Sequence, residues 1–133
     1  MHKKESYQFI ILGLGSIGKK HAKFLNQYPG ELICVDPLKN SREWALEELD
    51  GKVSTFESLE DASESISNCK LKKVGIVANW GTLHYRSSQD LFSLGVSKLY
   101  IEKPIANSLK SLDGLKEMNS SAKIIGGFQK KNC

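Results

Sequence analysis

Apolar residues along this chain fall into two kinds of stretch. Some form short unbroken runs, which read as strands buried on both faces of a parallel sheet. Between them apolar positions recur every three or four residues, which reads as amphipathic helix. Phe9 to Leu12 is the first run, and Gly13, Gly15 and Gly18 follow it directly. Ile17, His21, Phe24, Leu25 and Tyr28 then share one helical face until Pro29-Gly30 stops the helix. Leu32 to Val35 is a second strand, ending at Asp36. Ser41 is placed to cap a helix with Trp44, Ala45 and Leu49, which stops at Asp50-Gly51, and Val53 to Phe56 makes a third strand. Ser58 caps the next helix, in which Leu59, Ala62, Ser63, Ile66 and Cys69 recur at helical spacing. Val74 to Ala78 reads as a central strand; Asn79 to Thr82 lead from it into a helix with Leu83, Ser87, Leu91 and Leu94, closed by Gly95. Leu99 to Ile101 is a fifth strand, with Glu102-Lys103-Pro104 at its end. Asn107 or Ser108 caps a last helix with Leu109, Leu112 and Leu115, and Ala122 to Phe128 is a sixth strand.

Strand and helix alternate throughout, which gives an α/β fold. With right-handed crossovers this becomes a doubly wound parallel sheet of the Rossmann type, six strands in the order 3-2-1-4-5-6 with helices on both faces. Ligands of such sheets lie beyond the carboxyl ends of the strands, where the strand order reverses. The glycines there have the G-x-G-x-x-G spacing, and each has a distinct task. Gly13 permits the tight turn, Gly15 lets the backbone approach a pyrophosphate, and Gly18 lets the helix pack on the sheet. The first helical turn, with Ser16 and Ile17, presents N–H groups to the phosphates. Asp36 lies 18 positions after Gly18, close to the roughly 20-residue offset of an acid that binds a ribose hydroxyl. Its simpler role is that of a turn residue before Pro37.

At 133 residues the chain fits one domain. Residues 1–6 read as an N-terminal extension, 7–128 as the dinucleotide-binding domain and 129–133 as an exit toward a further domain. The sequence shows neither a signal peptide nor a transmembrane run, which predicts a cytoplasmic protein. Cys34, Cys69 and Cys133 match no metal spacing and no disulfide framework, so they read as reduced and structural, and no metal is expected. The net charge of +4 comes from scattered lysines such as Lys19-Lys20 and Lys72-Lys73 without interleaved aromatics, a solvated surface rather than a nucleic-acid stripe. Neither His2 nor His21 has a context that marks it as a site residue.

Three segments bring a family into view. Gly-Leu-Gly-Ser-Ile-Gly-Lys-Lys-His-Ala from Gly13, Ala-Asn-Trp-Gly-Thr-Leu-His from Ala78 and Glu-Lys-Pro from Glu102 resemble the glucose-fructose oxidoreductase and inositol dehydrogenase family, Gfo/Idh/MocA. The resemblance covers nearly the whole chain, as that family's N-terminal domain. It implies an NAD(P)-dependent oxidoreductase that moves a hydride between the nicotinamide and a carbon of a sugar, polyol or related hydroxy compound. It makes Lys103 the catalytic lysine, whose three donors can hold a substrate hydroxyl. It also places Asn79, Trp80, His84, Glu102, Lys103 and Pro104 beside the cofactor. Trp80 stands where the family usually has proline, and either stacks on the cofactor or only covers it. His84, at a helix start where the dipole disfavours a charged imidazole, reads as a neutral structural residue. Asp36 favours NAD by repelling a 2′-phosphate, although Lys39 or Arg42 could admit NADP.

The family continues into an α/β domain that binds substrate, adds catalytic groups and makes oligomer contacts, and none of it is present here. Gly127 to Lys131 resemble the exit from strand six, with Lys131 where an arginine is common. The chain by itself is therefore expected to be inactive. A different class, a non-catalytic NAD(H)-binding or regulatory module, follows from the same observation. A methyltransferase also uses a glycine loop and an acid after strand two, but Glu102-Lys103-Pro104 and the third glycine argue against it.

Overall fold

β1 (Tyr7–Leu12) lies at the centre of the sheet because it can be buried from both faces: Gln8 to Leu12 are all buried. The computed structural model describes residues 6–51, 53–79, 84–96, 98–102 and 123–126. Among these, α1 (Ser16–Leu25), β2 (Gly30–Val35), α2 (Lys39–Glu48), β3 (Val53–Phe56), α3 (Leu59–Ser67), β4 (Lys72–Val77), α4 (His84–Ser93), β5 (Lys98–Ile101) and β6 (Lys123–Gly126) follow β1. The first five strands pair in parallel in the predicted order β3-β2-β1-β4-β5, and β6 pairs in parallel with β5. Residues 1–5 of the predicted extension, the last helix, Trp80, Lys103, Pro104 and the exit segment lie outside the described residues.

The strand period of two sorts the core into two layers. Ile10, Leu12, Ile33, Val35, Val77, Leu99 and Ile101 face α3 and α4 through Ala62, Ile66 and Leu91. Phe9, Ile11, Leu32, Cys34 and Ile76 face α1 and α2 through Ala22, Ala45 and Leu49, with Tyr100 packed against that side.

Two helices depart from the sequence expectation. Ile17, Phe24 and Tyr28 of the predicted α1 face are 44%, 54% and 40% exposed, while Gly18 and Ala22 are buried. Close approach of Gly18 to the backbone of Gly13 sets the rotation of the helix, so the stripe through residues 18, 22 and 25 meets the sheet and the bulkier residues turn outward. The second departure is at α2, which starts at Lys39 with Leu38 as N-cap, ahead of Ser41. The Asp36 carboxylate, accepting from the Leu38 N–H at 2.8 Å, opens the turn earlier than the serine could. Ser58 caps α3 as its sequence indicates, its Oγ accepting from the Asp61 N–H at 3.2 Å.

Cys34 is fully buried on β2, and burial pushes its pKa up from 9.0 to about 12. As pH rises, the unfolded chain loses this proton first while the folded chain retains it. Stability should therefore fall between pH 9.0 and about 12, and Cys34 imposes no such penalty below that window. In a Cys34→Ala chain the urea midpoint should drop less than in wild type when pH is raised from about 8 to about 10.5.

Candidate functional site

At the carboxyl ends of β1 and β4, where the strand order reverses, the chain makes its sharpest turn. Gly13 has φ +100, and its N–H donates to the Val35 carbonyl at 2.8 Å. A Cβ on Gly13 would stand 2.7 Å from the Ala78 carbonyl oxygen, and one on Gly18 would strike the carbonyl oxygen of Gly13. Both glycines therefore serve the packing of turn, helix and sheet.

Gly15 is different. Its φ of −73 suits any residue, and an added Cβ would find nothing within 4 Å. It is also the N-cap of α1, without a side-chain acceptor, and no acidic residue occupies the first turn. The first N–H groups of a helix lack partners within it and carry partial positive charge. An open space beside these donors fits a diphosphate. Ser16 and Ile17 are exposed in this first turn.

Asp36 ties the turn to β2. Its Oδ2 accepts from the Leu14 N–H at 2.7 Å and its Oδ1 from the Leu38 N–H at 2.8 Å, while its own N–H donates to Phe56 at 3.0 Å. Although the residue is only 6% exposed, it forms part of the wall of a cavity of about 720 Å³ together with Gly13, Gly15, Leu38, Ser58 and Asn79. A carboxylate has about four acceptor directions, so two remain for a ligand hydroxyl. Asn79 is positioned by the Ala78 N–H, which donates to Leu12 at 2.8 Å, and by its own Nδ2, which donates to Ser87 Oγ on α4 at 2.8 Å. The structure thus gathers Gly13, Gly15, Asp36 and Asn79 around one cavity, with Ser16, Ile17 and Gly18 at the start of α1. His84 opens α4, its side chain outside the description.

Glu102 stands apart from this wall. Its backbone N–H donates to Val77 at 2.9 Å, and its Oε2 meets His21 Nε2 at 2.6 Å. Strand alternation explains the direction: Leu99 and Ile101 point to the α3 and α4 side, so residues 100 and 102 point toward α1. Tyr100 packs its ring edge-on to His21, 5.2 Å between centroids. Burial, then the charge of Glu102 and a hydrogen bond to it, raise the Tyr100 pKa. Motif reading missed His21. The available signal was its place one turn after Gly18, on the helix that faces alternate residues of β5.

Residues 7–126 match the family model described as "Oxidoreductase family, NAD-binding Rossmann fold" (GFO_IDH_MocA). The chain belongs to this oxidoreductase family. The turn, helix start and acid just described all lie within the residues that the Gfo/Idh/MocA model matches. No curated protein matches the sequence. Among solved structures, this Gfo/Idh/MocA chain is similar to the WlbA (WbpB) dehydrogenase from Thermus thermophilus in complex with NAD and α-ketoglutarate. The TM-score is 0.77 at 20% identity, over 96% of this chain and 43% of that one. The WlbA dehydrogenase from Bordetella pertussis, in complex with NADH and UDP-GlcNAcA, gives a TM-score of 0.73 at 19% identity over 93% of this chain and 36% of that one. A probable dehydrogenase from Thermotoga maritima gives 0.76 at 18% identity, over 93% and 36% respectively. At such identities the likeness is one of fold, and the Gfo/Idh/MocA chain spans well under half the length of these neighbours. Among the described residues no helix is long and apolar enough to cross a membrane.

Proposed function

We propose that residues 7–128 form the cofactor domain of an NAD-dependent dehydrogenase acting on a sugar, polyol or related hydroxy compound. The observation that carries this reading is the open space at Gly15 beside an uncapped helix start, facing a cavity that also contains Asp36. When bound, the nicotinamide would accept or donate the hydride. The chain's residues do the holding: first-turn N–H groups of α1 take the diphosphate, Asp36 takes a ribose hydroxyl, and Asn79 borders the ribose on the other half. Lys103 is proposed as the catalytic lysine on the family resemblance, its ammonium holding the substrate hydroxyl. The nucleotide sugar named for the Bordetella neighbour supports a sugar-like substrate class here.

NAD is favoured over NADP because Asp36 and Glu57 both line the cavity and would repel a 2′-phosphate. Arg42 is engaged as well, its Nη1 donating to the Asp36 carbonyl at 2.8 Å. Free thiols at Cys34 and Cys69 support the reducing cytoplasm as the compartment.

The test is a titration with NADH followed by nicotinamide fluorescence, on wild type and Gly15→Ala. Since nothing surrounds the added methyl, stability should change by less than about 1 kcal/mol in urea, the scale of an N-cap preference. NADH should bind at least about 10-fold more weakly, as expected for a lost charge-assisted hydrogen bond. No saturable binding by wild type at millimolar NADH would overturn the reading.

A further inference from the structure

We propose that His21 is a positioning residue: by holding Glu102 it fastens the exit of β5 to the phosphate-facing helix α1, and so sets the nicotinamide half of the cleft relative to the diphosphate half. The inference rests on the reading of this domain as a dinucleotide binder. Neither His21 nor Glu102 lines the cavity described above, so their role is not explained by direct lining of that wall.

Several observations converge on the pair. β4 separates β1 from β5 in the sheet, so a link from α1 to the end of β5 joins the two halves of the fold across the point where strand order reverses. Glu102 is held from two sides, its N–H by the Val77 carbonyl of β4 and its carboxylate by His21 Nε2 at 2.6 Å. With side chains 25% and 23% exposed, the contact is partly withdrawn from solvent. Tyr100 completes the group: its ring lies edge-on to His21, 5.2 Å between centroids. Among the described residues, Glu102 and Tyr100 are the titratable groups that meet the His21 ring. The next residue in sequence after Glu102 is Lys103. The pair therefore anchors the chain immediately before the lysine assigned to catalysis, and anchors it to the helix whose first turn meets the diphosphate.

Ligands that report the two halves separately provide the test. ADP-ribose carries adenosine, diphosphate and the second ribose but no nicotinamide; NADH carries all of them. Binding of NADH by fluorescence and of ADP-ribose by calorimetry is measured for wild type, His21→Phe, His21→Gln, Glu102→Leu and the His21→Phe/Glu102→Leu pair. His21→Phe keeps a ring against Tyr100 but loses the N–H; NADH affinity should fall about 10-fold while ADP-ribose stays within about twofold. His21→Gln retains a side-chain donor and should lose less than about threefold. Glu102→Leu should show the same NADH-specific loss, and the double variant should be no worse than either single one, as for residues acting through one contact.

Equal losses for both ligands would overturn the proposal, since His21 would then act only on general stability. Unchanged NADH affinity would overturn it too, as would additive losses in the double variant, which would mean that Glu102 acts without His21. Failure of wild type to bind either ligand sinks the dinucleotide reading and this inference together. Tight wild-type binding without a split among the variants sinks only this one. Should His21→Phe fail to fold, Glu102→Leu decides the matter by the same ratio.

Discussion

A Gly18→Ala chain should be at least about 3 kcal/mol less stable than wild type in urea, at or beyond the upper end of what overpacking costs. The new methyl would strike the carbonyl oxygen of Gly13, which is backbone and cannot swing aside. Relief requires α1 to move off the sheet, which opens the contact of Ala22 with the core layer it shares with Phe9 and Ile11. The shift also carries the first-turn N–H groups away from the cavity, so NADH binding should be lost along with stability. A Gly18→Ala chain with wild-type urea midpoint would show that α1 does not sit as described. The contrast with Gly15→Ala is informative, because that methyl enters open space: one substitution should damage fold and binding together, the other binding alone.

Asp36→Ala should weaken NAD by more than about 10-fold and NADP by clearly less, measured by competition against a fluorescent dinucleotide. Removing the carboxylate takes away the ribose acceptor and also the charge that repels a 2′-phosphate. The structure adds a second cost. Oδ2 is the acceptor for the buried Leu14 N–H, and Oδ1 for Leu38, so the variant leaves a donor inside the glycine turn without its partner. A loss of roughly 1–3 kcal/mol in urea is expected from that donor. Equal weakening of NAD and NADP would remove the assignment of Asp36 to the ribose, even with the stability loss in place.

Much of the fold was legible because strands buried on both faces leave unbroken apolar runs. The runs ending near Leu12, Val35, Val77 and Ile101 correspond to β1, β2, β4 and β5, while Val53 to Phe56, apolar only at its two ends, is the edge strand β3; alternation with helices set the order of the sheet. The glycine turn and Asp36 were legible because positive φ, close backbone approach and a short acid at a strand end each restrict residue type. Less legible was anything decided by rotation about a helix axis. The periodicity of Ile17, Phe24 and Tyr28 is sound, yet it marks a largely exposed side of α1, because a glycine with no hydrophobicity of its own dictates which side meets the sheet. The His21–Glu102 contact was hidden for a similar reason. Its partners are 81 positions apart, and only the reach of a side chain from α1, which packs on β1 and β2, to the end of β5 joins them.

The helix start at Gly15 has one more consequence. Like α2, α1 carries no side chain that caps its first turn, and at Gly15 it opens onto space. Oxygen atoms of a bound dinucleotide would take that place, so the ligand would finish an element of the fold as well as occupy a cleft. Saturation should then slow hydrogen exchange at the amides of residues 16 to 18 and raise the melting temperature, by about 2.7 kcal/mol of added stability at a hundredfold excess over Kd.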